Sequence, residues 1–416
     1  MQTVDLIISN ASELVTCTDP ELGIHKKGWL AVKDGLIVAV GSEEAVLSKL
    51  DQESVKNAVR VDATHKTVLP GFVDSHTHLV FGGDRLEEDA ARIAKESPQS
   101  QKDRGLCVGM PCSMRRTRDC SAADLFEQSS ARLEKMIANG STTIECKSGY
   151  GLCLETELLQ LETTQKLAET FSVDLISTFL GAHGWPDGTN KETYLDQLEK
   201  EMIPAVAEKN LATFCDIWVD EGYFTGKDAE RVLRTGLKYG LRPKIHAEAY
   251  SYVGASDVAA ELHAVSSDHL NYTPPSVMQK LSLAGVVAVL APCTDYVVRH
   301  PLPANPRFMM ENGLDVAVAT NCNPGCWCTA MPFALQLSCR LHGLSISEAL
   351  RGATVNGAKA IALNDRGTLA EGQLADIQIW DVPRHEAFFY QLGDHVIDSV
   401  FKRGKKIFDR RGPFCD

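Results

Sequence analysis

Two histidines one residue apart, His76 and His78, carry the most legible chemistry in the chain. They close the run Leu69-Pro70-Gly71-Phe72-Val73-Asp74-Ser75. Within a β-strand, side-chain alternation puts both imidazoles on one side, where both can reach one metal ion. Three further histidines, His183, His246 and His269, fall at or near the ends of other β-rich runs. Taken alone, a His-X-His is equally readable as two satisfied polar residues. Five of the twelve histidines at strand ends are harder to read that way. The others, His25, His65, His263, His300, His342, His385 and His395, do not end such runs and read as structural or surface residues.

The elements that must position these side chains are strands alternating with helical stretches. Eight strand candidates cover residues 68–78, 142–148, 175–183, 214–220, 243–248, 264–269, 285–291 and 316–321. Amphipathic stretches such as 122–138 and 155–168 separate them. Eight such units predict an α/β fold of the (β/α)8 TIM type over residues 67–346, with active groups at the C-terminal ends of the strands. A doubly wound open sheet is the alternative. Residues 1–66 and 347–416 read instead as short strands, with a tight hairpin at Lys33-Asp34-Gly35. Neither end has enough strands to close a core, so the two are expected to form one small β-sandwich domain together.

A chain of 416 residues, 44% hydrophobic and 23% charged, suits a two-domain globular enzyme. Its net charge of −13 argues against nucleic acid or an anionic membrane as partner, while leaving room for a small anionic substrate. No export signal is evident and the longest apolar stretch, 284–291, is too short to span a bilayer, so the expected location is cytoplasmic. Most of the thirteen cysteines then read as reduced thiols. Cys293, Cys322, Cys326 and Cys328 follow the last two strands; as a nucleophile or thiolate ligand they compete with a reading as buried, inert groups.

Pro-Gly-Phe-Val-Asp-Ser-His-Thr-His, residues 70–78, closely resembles the first-strand motif of the amidohydrolase superfamily. The resemblance implies that His76, His78 and the fifth-strand His246 hold the metal and that His269 assists substrate or water. One divalent ion, Zn2+ or Fe2+, suits imidazole-rich coordination with a position left for water. Such an ion would lower the water's pKa and polarise the scissile group.

Nearly the whole chain further resembles the imidazolonepropionases, which hydrolyse the ring of 4-imidazolone-5-propanoate to N-formimidoyl-glutamate. The markers are Gly83-Asp84-Arg85, Glu145-Cys146-Lys147-Ser148-Gly149-Tyr150-Gly151-Leu152, Leu154-Glu155-Thr156-Glu157-Leu158, Phe179-Leu180-Gly181-Ala182-His183, Asp268-His269-Leu270 and Asn323-Pro324-Gly325. Carried over, Arg85 grips the substrate carboxylate and Tyr150 and His183 hydrogen-bond the substrate. The setting of Lys147 points to the one-metal branch rather than to the carbamylated lysine of two-metal relatives.

Four departures stand against that pattern. Asn321 occupies the place of the eighth-strand Asp that ligates metal and takes the water's proton; an amide cannot act as a base. Ala249 stands where Glu or Gln is common, with Glu248 one residue earlier. The glycine triplet becomes Gly105-Leu106-Cys107, followed by two extra residues before Thr117-Arg118, and Pro98 aligns with an expected Tyr. Catalytic candidates are therefore His269, Glu248 and Asn321. The expected activity is metal-dependent hydrolysis of a small anionic cyclic amide or amidine bearing a propanoate. Loss of sulfide from a 2-thioxo-imidazolidinone propanoate and a non-catalytic binding relic are the alternatives, and a homodimer is left open.

Overall fold

The computed structural model describes residues 2–412 and divides its strands between two eight-stranded sheets. The N-terminal part supplies β1 (Leu6–Val15), β2 (Ile24–Lys33), β3 (Leu36–Gly41), β4 (Val59–Asp62) and β5 (Thr67–Pro70). The middle supplies β6 (Phe72–Asp74), β7 (Ser141–Lys147), β8 (Asp174–Ala182), β9 (Phe214–Val219), β10 (Arg242–Ala247), β11 (Ser266–His269), β12 (Val287–Leu290) and β13 (Val316–Val318). The C-terminal part adds β14 (Ile377–Trp380), β15 (Ile397–Lys402) and β16 (Lys405–Asp409).

Both chain ends build the first sheet, in the order β16-β15-β14-β5-β1-β2-β3. It is continuous through β1, which pairs with β2 along one edge. On the other edge its first half pairs with β4 and its second half with β5. Leu6 and Ile8 of β1, Leu30 of β2, Val68 of β5 and Ile377 and Ile379 of β14 share one core, so both ends are needed to bury it. The β2–β3 turn has positive φ at Asp34 and Gly35, as a two-residue hairpin requires. Two short helices, Glu43–Leu47 and Gln52–Asn57, interrupt what reads in sequence as strands alone.

The run 68–78 is divided at Gly71 rather than forming one strand. A Cβ at Gly71 would lie 2.4 Å from the Thr142 side chain, so the chain passes from sheet to barrel where no side chain fits. β5 belongs by hydrogen bonding to the terminal sheet and β6 to the barrel. The barrel strands run parallel in order from β6 to β13. Segments beyond β6 and β13 then join the two edges. Asn321 N–H donates to His76 O at 3.1 Å and His78 N–H to Cys322 O at 2.8 Å. The buried Asp74 carboxylate accepts from Thr320 N–H and its hydroxyl, at 3.0 and 2.6 Å.

Helices Ala122–Ala138 and Leu154–Thr170 coincide with the amphipathic stretches read from sequence, the first opened by a Ser121/Asp124 capping box. Helices Ile346–Gly352 and Val355–Ala360 pack on barrel strands, so the chain through Ala360 lies with the barrel, past residue 346. Asp174, at the start of β8, clasps the two sheets by pairing with Arg366, Lys402 at 2.8 Å and Arg403 at 2.9 Å. Burial alone would raise its carboxyl, but these cations hold it at about 2. Among the described residues no helix is long and apolar enough to cross a membrane.

Candidate metal centre and substrate pocket

The C-terminal rim of the barrel gathers the five strand-end histidines. Ring centroids are 4.5 Å apart for His76 and His246, and 5.4 Å for His78 with either. His269 lies 5.3 Å from His76 and 5.4 Å from His246, while His183 stacks on His78 at 4.8 Å. β6 itself ends at Asp74, so His76 and His78 project from the extended segment after it.

Two carboxylates orient two of these histidines. His76 Nδ1–H donates to Asp268 at 2.5 Å and His246 Nδ1–H to Asp216 at 3.0 Å. Each is left with a lone pair on Nε2. His76 Nε2 is buried without a hydrogen-bond partner, as is His78 Nδ1, and the Nε2 atoms of His78 and His246 face each other at 3.4 Å. Burial drives all three imidazoles well below their usual pKa, so they stay neutral. Ring nitrogens of His76, His78 and His246 that could hold a metal ion lie within 4.8 Å of one another. Neutral imidazole donors converging on one point, each of two held by a carboxylate behind it, fit a divalent cation. Below them Lys147 pairs with Glu145 and Asp216 at 2.7 Å each. Burial works against its charge, but the carboxylates outweigh it and raise its pKa, which favours the ammonium form.

Above the histidines opens a cavity of about 220 Å³, lined among others by Arg85, Tyr150, His183, His269 and Asn321. The loop carrying Tyr150 is held by Glu157, whose buried carboxylate accepts N–H groups of Gly149, Gly151 and Leu152 at 2.9, 2.8 and 2.8 Å. That fixes the Gly149 carbonyl, to which His183 Nδ1–H donates at 3.1 Å. Burial brings His183 down to about 4, so its Nε2 is an acceptor at neutral pH. Arg85 uses one edge of its fork on Glu88, through Nε at 2.7 Å and Nη2. Its Nη1 atom lies against Gly325, where an added Cβ would approach to 3.0 Å.

His269 has φ +80° and, among the described residues, no protein partner hydrogen-bonds its ring; burial lowers its pKa. Asn321, with φ +49°, donates from Nδ2 to Thr294 at 2.9 Å and accepts on Oδ1 from Asn323 at 3.0 Å. Glu248 is not brought to the cavity. A φ of +57° turns the chain after β10, and the carboxylate caps helix Ala255–Glu261, accepting from Ser256 N–H and Oγ at 3.2 and 2.7 Å and from Thr273. The cavity wall there is Ala249.

Sequence reasoning missed Arg92, which lines the cavity and shares Glu88 with Arg85 at 3.0 Å. The spacing Arg85, Glu88, Arg92 on one helix face was the available signal. It also missed the Trp218–Tyr223 stack at 3.7 Å, for which no local signal exists. His300 lines the wall, but both ring nitrogens are used, toward Ala249 O and Leu302 N–H. Cys107 and Cys112 form a disulfide around Gly109, whose N–H donates to Glu88 at 2.8 Å. Ten other described cysteines are free, and burial pushes the cavity-lining Cys326 up to about 12, an unreactive thiol.

Known proteins resemble this chain in sequence and in fold. Residues 238–407 match the amidohydrolase family. The imidazolonepropionase of Symbiobacterium thermophilum is 41% identical over 98% of this chain and 98% of its own length. That of Geobacillus sp. is 39% identical over 99% of both. Among solved structures, a zinc-bound adenosine deaminase from Xanthomonas campestris superposes with a TM-score of 0.74 at 16% identity, over 99% of this chain and 94% of its own. Identity of this extent along the full length shows that the chain belongs to the imidazolonepropionase family of metal-dependent hydrolases.

Proposed function

We propose that the enzyme hydrolyses a small cyclic amide or amidine carrying a propanoate, with 4-imidazolone-5-propanoate as the leading substrate. The observation that carries this reading is one cavity with two ends. His78 and His246 line its floor with the His76 imidazole nitrogen within 4.8 Å of theirs, and a cationic fork with one free edge, Arg85, stands in its wall.

A single Zn2+ or Fe2+ held by His76, His78 and His246 would supply Lewis-acid activation of water and of the ring carbon it attacks. Arg85 orients the substrate by its carboxylate. The Tyr150 hydroxyl donates to the ring, and the neutral His183 accepts a ring N–H at Nε2. His269, neutral and without a protein partner on its ring among the described residues, takes the proton from water and returns it to the leaving ring nitrogen. Asn321 orients rather than titrates, because an amide is no base at neutral pH, and its two ends are held by Thr294 and Asn323.

A second reading, release of sulfide from a 2-thioxo ring with water oxygen replacing sulfur, rests on the same cavity. Asn321 and the outward-turned Glu248 change the ring end, while the carboxylate end retains Arg85. Turnover of the metal-loaded protein on both propanoates separates the readings. Turnover of neither, with substoichiometric metal, would favour a binding relic.

A further inference from the structure

Lys147 is absorbed by none of these roles, although it lies fully buried in the barrel at the end of β7. Its ammonium spans from the second barrel strand to the fourth and sixth. It is 2.7 Å from Asp216 Oδ2 and 3.5 Å from Asp268 Oδ2. Those are the same two oxygens that accept the Nδ1–H groups of His246 and His76. Its other contact, Glu145 at 2.7 Å, is itself anchored by Thr178 at 2.5 Å. One cation therefore braces the carboxylate behind each of two histidines on different strands.

We infer that Lys147 is a positioning residue for the metal centre, holding Asp216 and Asp268 so that His246 and His76 present Nε2 together. This rests on the metal-site reading above. Asp268 is otherwise held by the Ser266 hydroxyl and Asp216 by its neighbouring backbone N–H groups, on the opposite oxygen in both cases. Without Lys147 each histidine-facing oxygen loses the one lysine within 4 Å of it among the described residues, leaving the buried Lys244 to act from further away. Partners behind metal ligands of this kind typically change affinity about 10–100-fold.

The test uses Lys147→Met and the double variant Lys147→Met/Glu145→Gln, which removes one buried charge of each sign. Zn2+ affinity is measured by chelator competition, ligand geometry by the visible spectrum of the Co2+-loaded protein, and folding by circular dichroism. The inference expects folded protein with Zn2+ affinity about 10–100-fold weaker and an altered Co2+ spectrum in both variants. Wild-type affinity and spectrum in the folded double variant would overturn it, reducing Lys147 to a counter-charge. If Lys147→Met alone does not fold, the double variant carries the test. His76→Ala is the control: unchanged Zn2+ binding there would sink the metal-site reading instead.

Discussion

Replacing Arg85 by Ala asks whether the cavity wall selects a carboxylate. Glu88 occupies the Nε and one Nη2 hydrogen of the guanidinium, which leaves the Nη1–Nη2 edge to grip a substrate carboxylate with two parallel bonds. A charge-assisted hydrogen bond contributes about 1.5–3 kcal/mol, and two on one group are not additive. Loss of the clamp should lower kcat/KM for a propanoate substrate about 10- to 100-fold, mostly through KM. Glu88 would not be stranded, because Arg92 at 3.0 Å and the Gly109 N–H at 2.8 Å remain, so thermal stability should change little. Arg85→Lys should recover only part of the loss, since an ammonium keeps the charge without the fork. The assay compares each variant on the propanoate and on its carboxamide analogue. Equal loss on both would show that Arg85 supports the wall and does not read the carboxylate.

Single His76→Ala and His246→Ala variants should lose stoichiometric metal and hydrolysis while keeping the far-UV spectrum, because the large apolar cluster of strands and helices holds the fold; full metal retention in both would refute the ligand set. Asn321→Asp should give little gain on the true substrate, whereas a lesion in an ordinary imidazolonepropionase would show a rescue of about 10²–10⁴-fold on imidazolone propanoate. Glu248→Gln should leave kcat nearly unchanged and lower the unfolding temperature, since its contacts are Ser256 and Thr273; a collapse of kcat with stability intact would return it to the catalytic set. Asp174 has its folded pKa depressed to about 2, so its ion pairs stabilise above the ordinary carboxylate range and are lost as pH falls through that value. Denaturant titrations should therefore show Asp174→Asn clearly destabilised at neutral pH and converging on wild type as pH falls toward 2, and a pH-independent gap would contradict the clasp.

Local sequence determined most of the architecture. Alternating strands and amphipathic helices announce the barrel, because a strand buried on both faces and a helix with one apolar stripe leave different periodicities. The five histidines were legible for a related reason: strand ends in a parallel barrel all open on one rim, so residues far apart in sequence must converge there. The break at Gly71 had a local signal, the Pro70-Gly71 pair inside the β-rich run 68–78, but the close approach of Thr142 that excludes a side chain there is visible only in three dimensions. Adjacent residues also part company by backbone alone. Glu248 leaves the cavity and Ala249 enters it because of one left-handed φ, which a propensity cannot register. The long-range partners were likewise decided only by tertiary structure: Asp268 behind His76, Asp216 behind His246, and Lys147 touching both. Such pairs are set by which strands become neighbours across the barrel, and side-chain type at one position carries no record of what faces it.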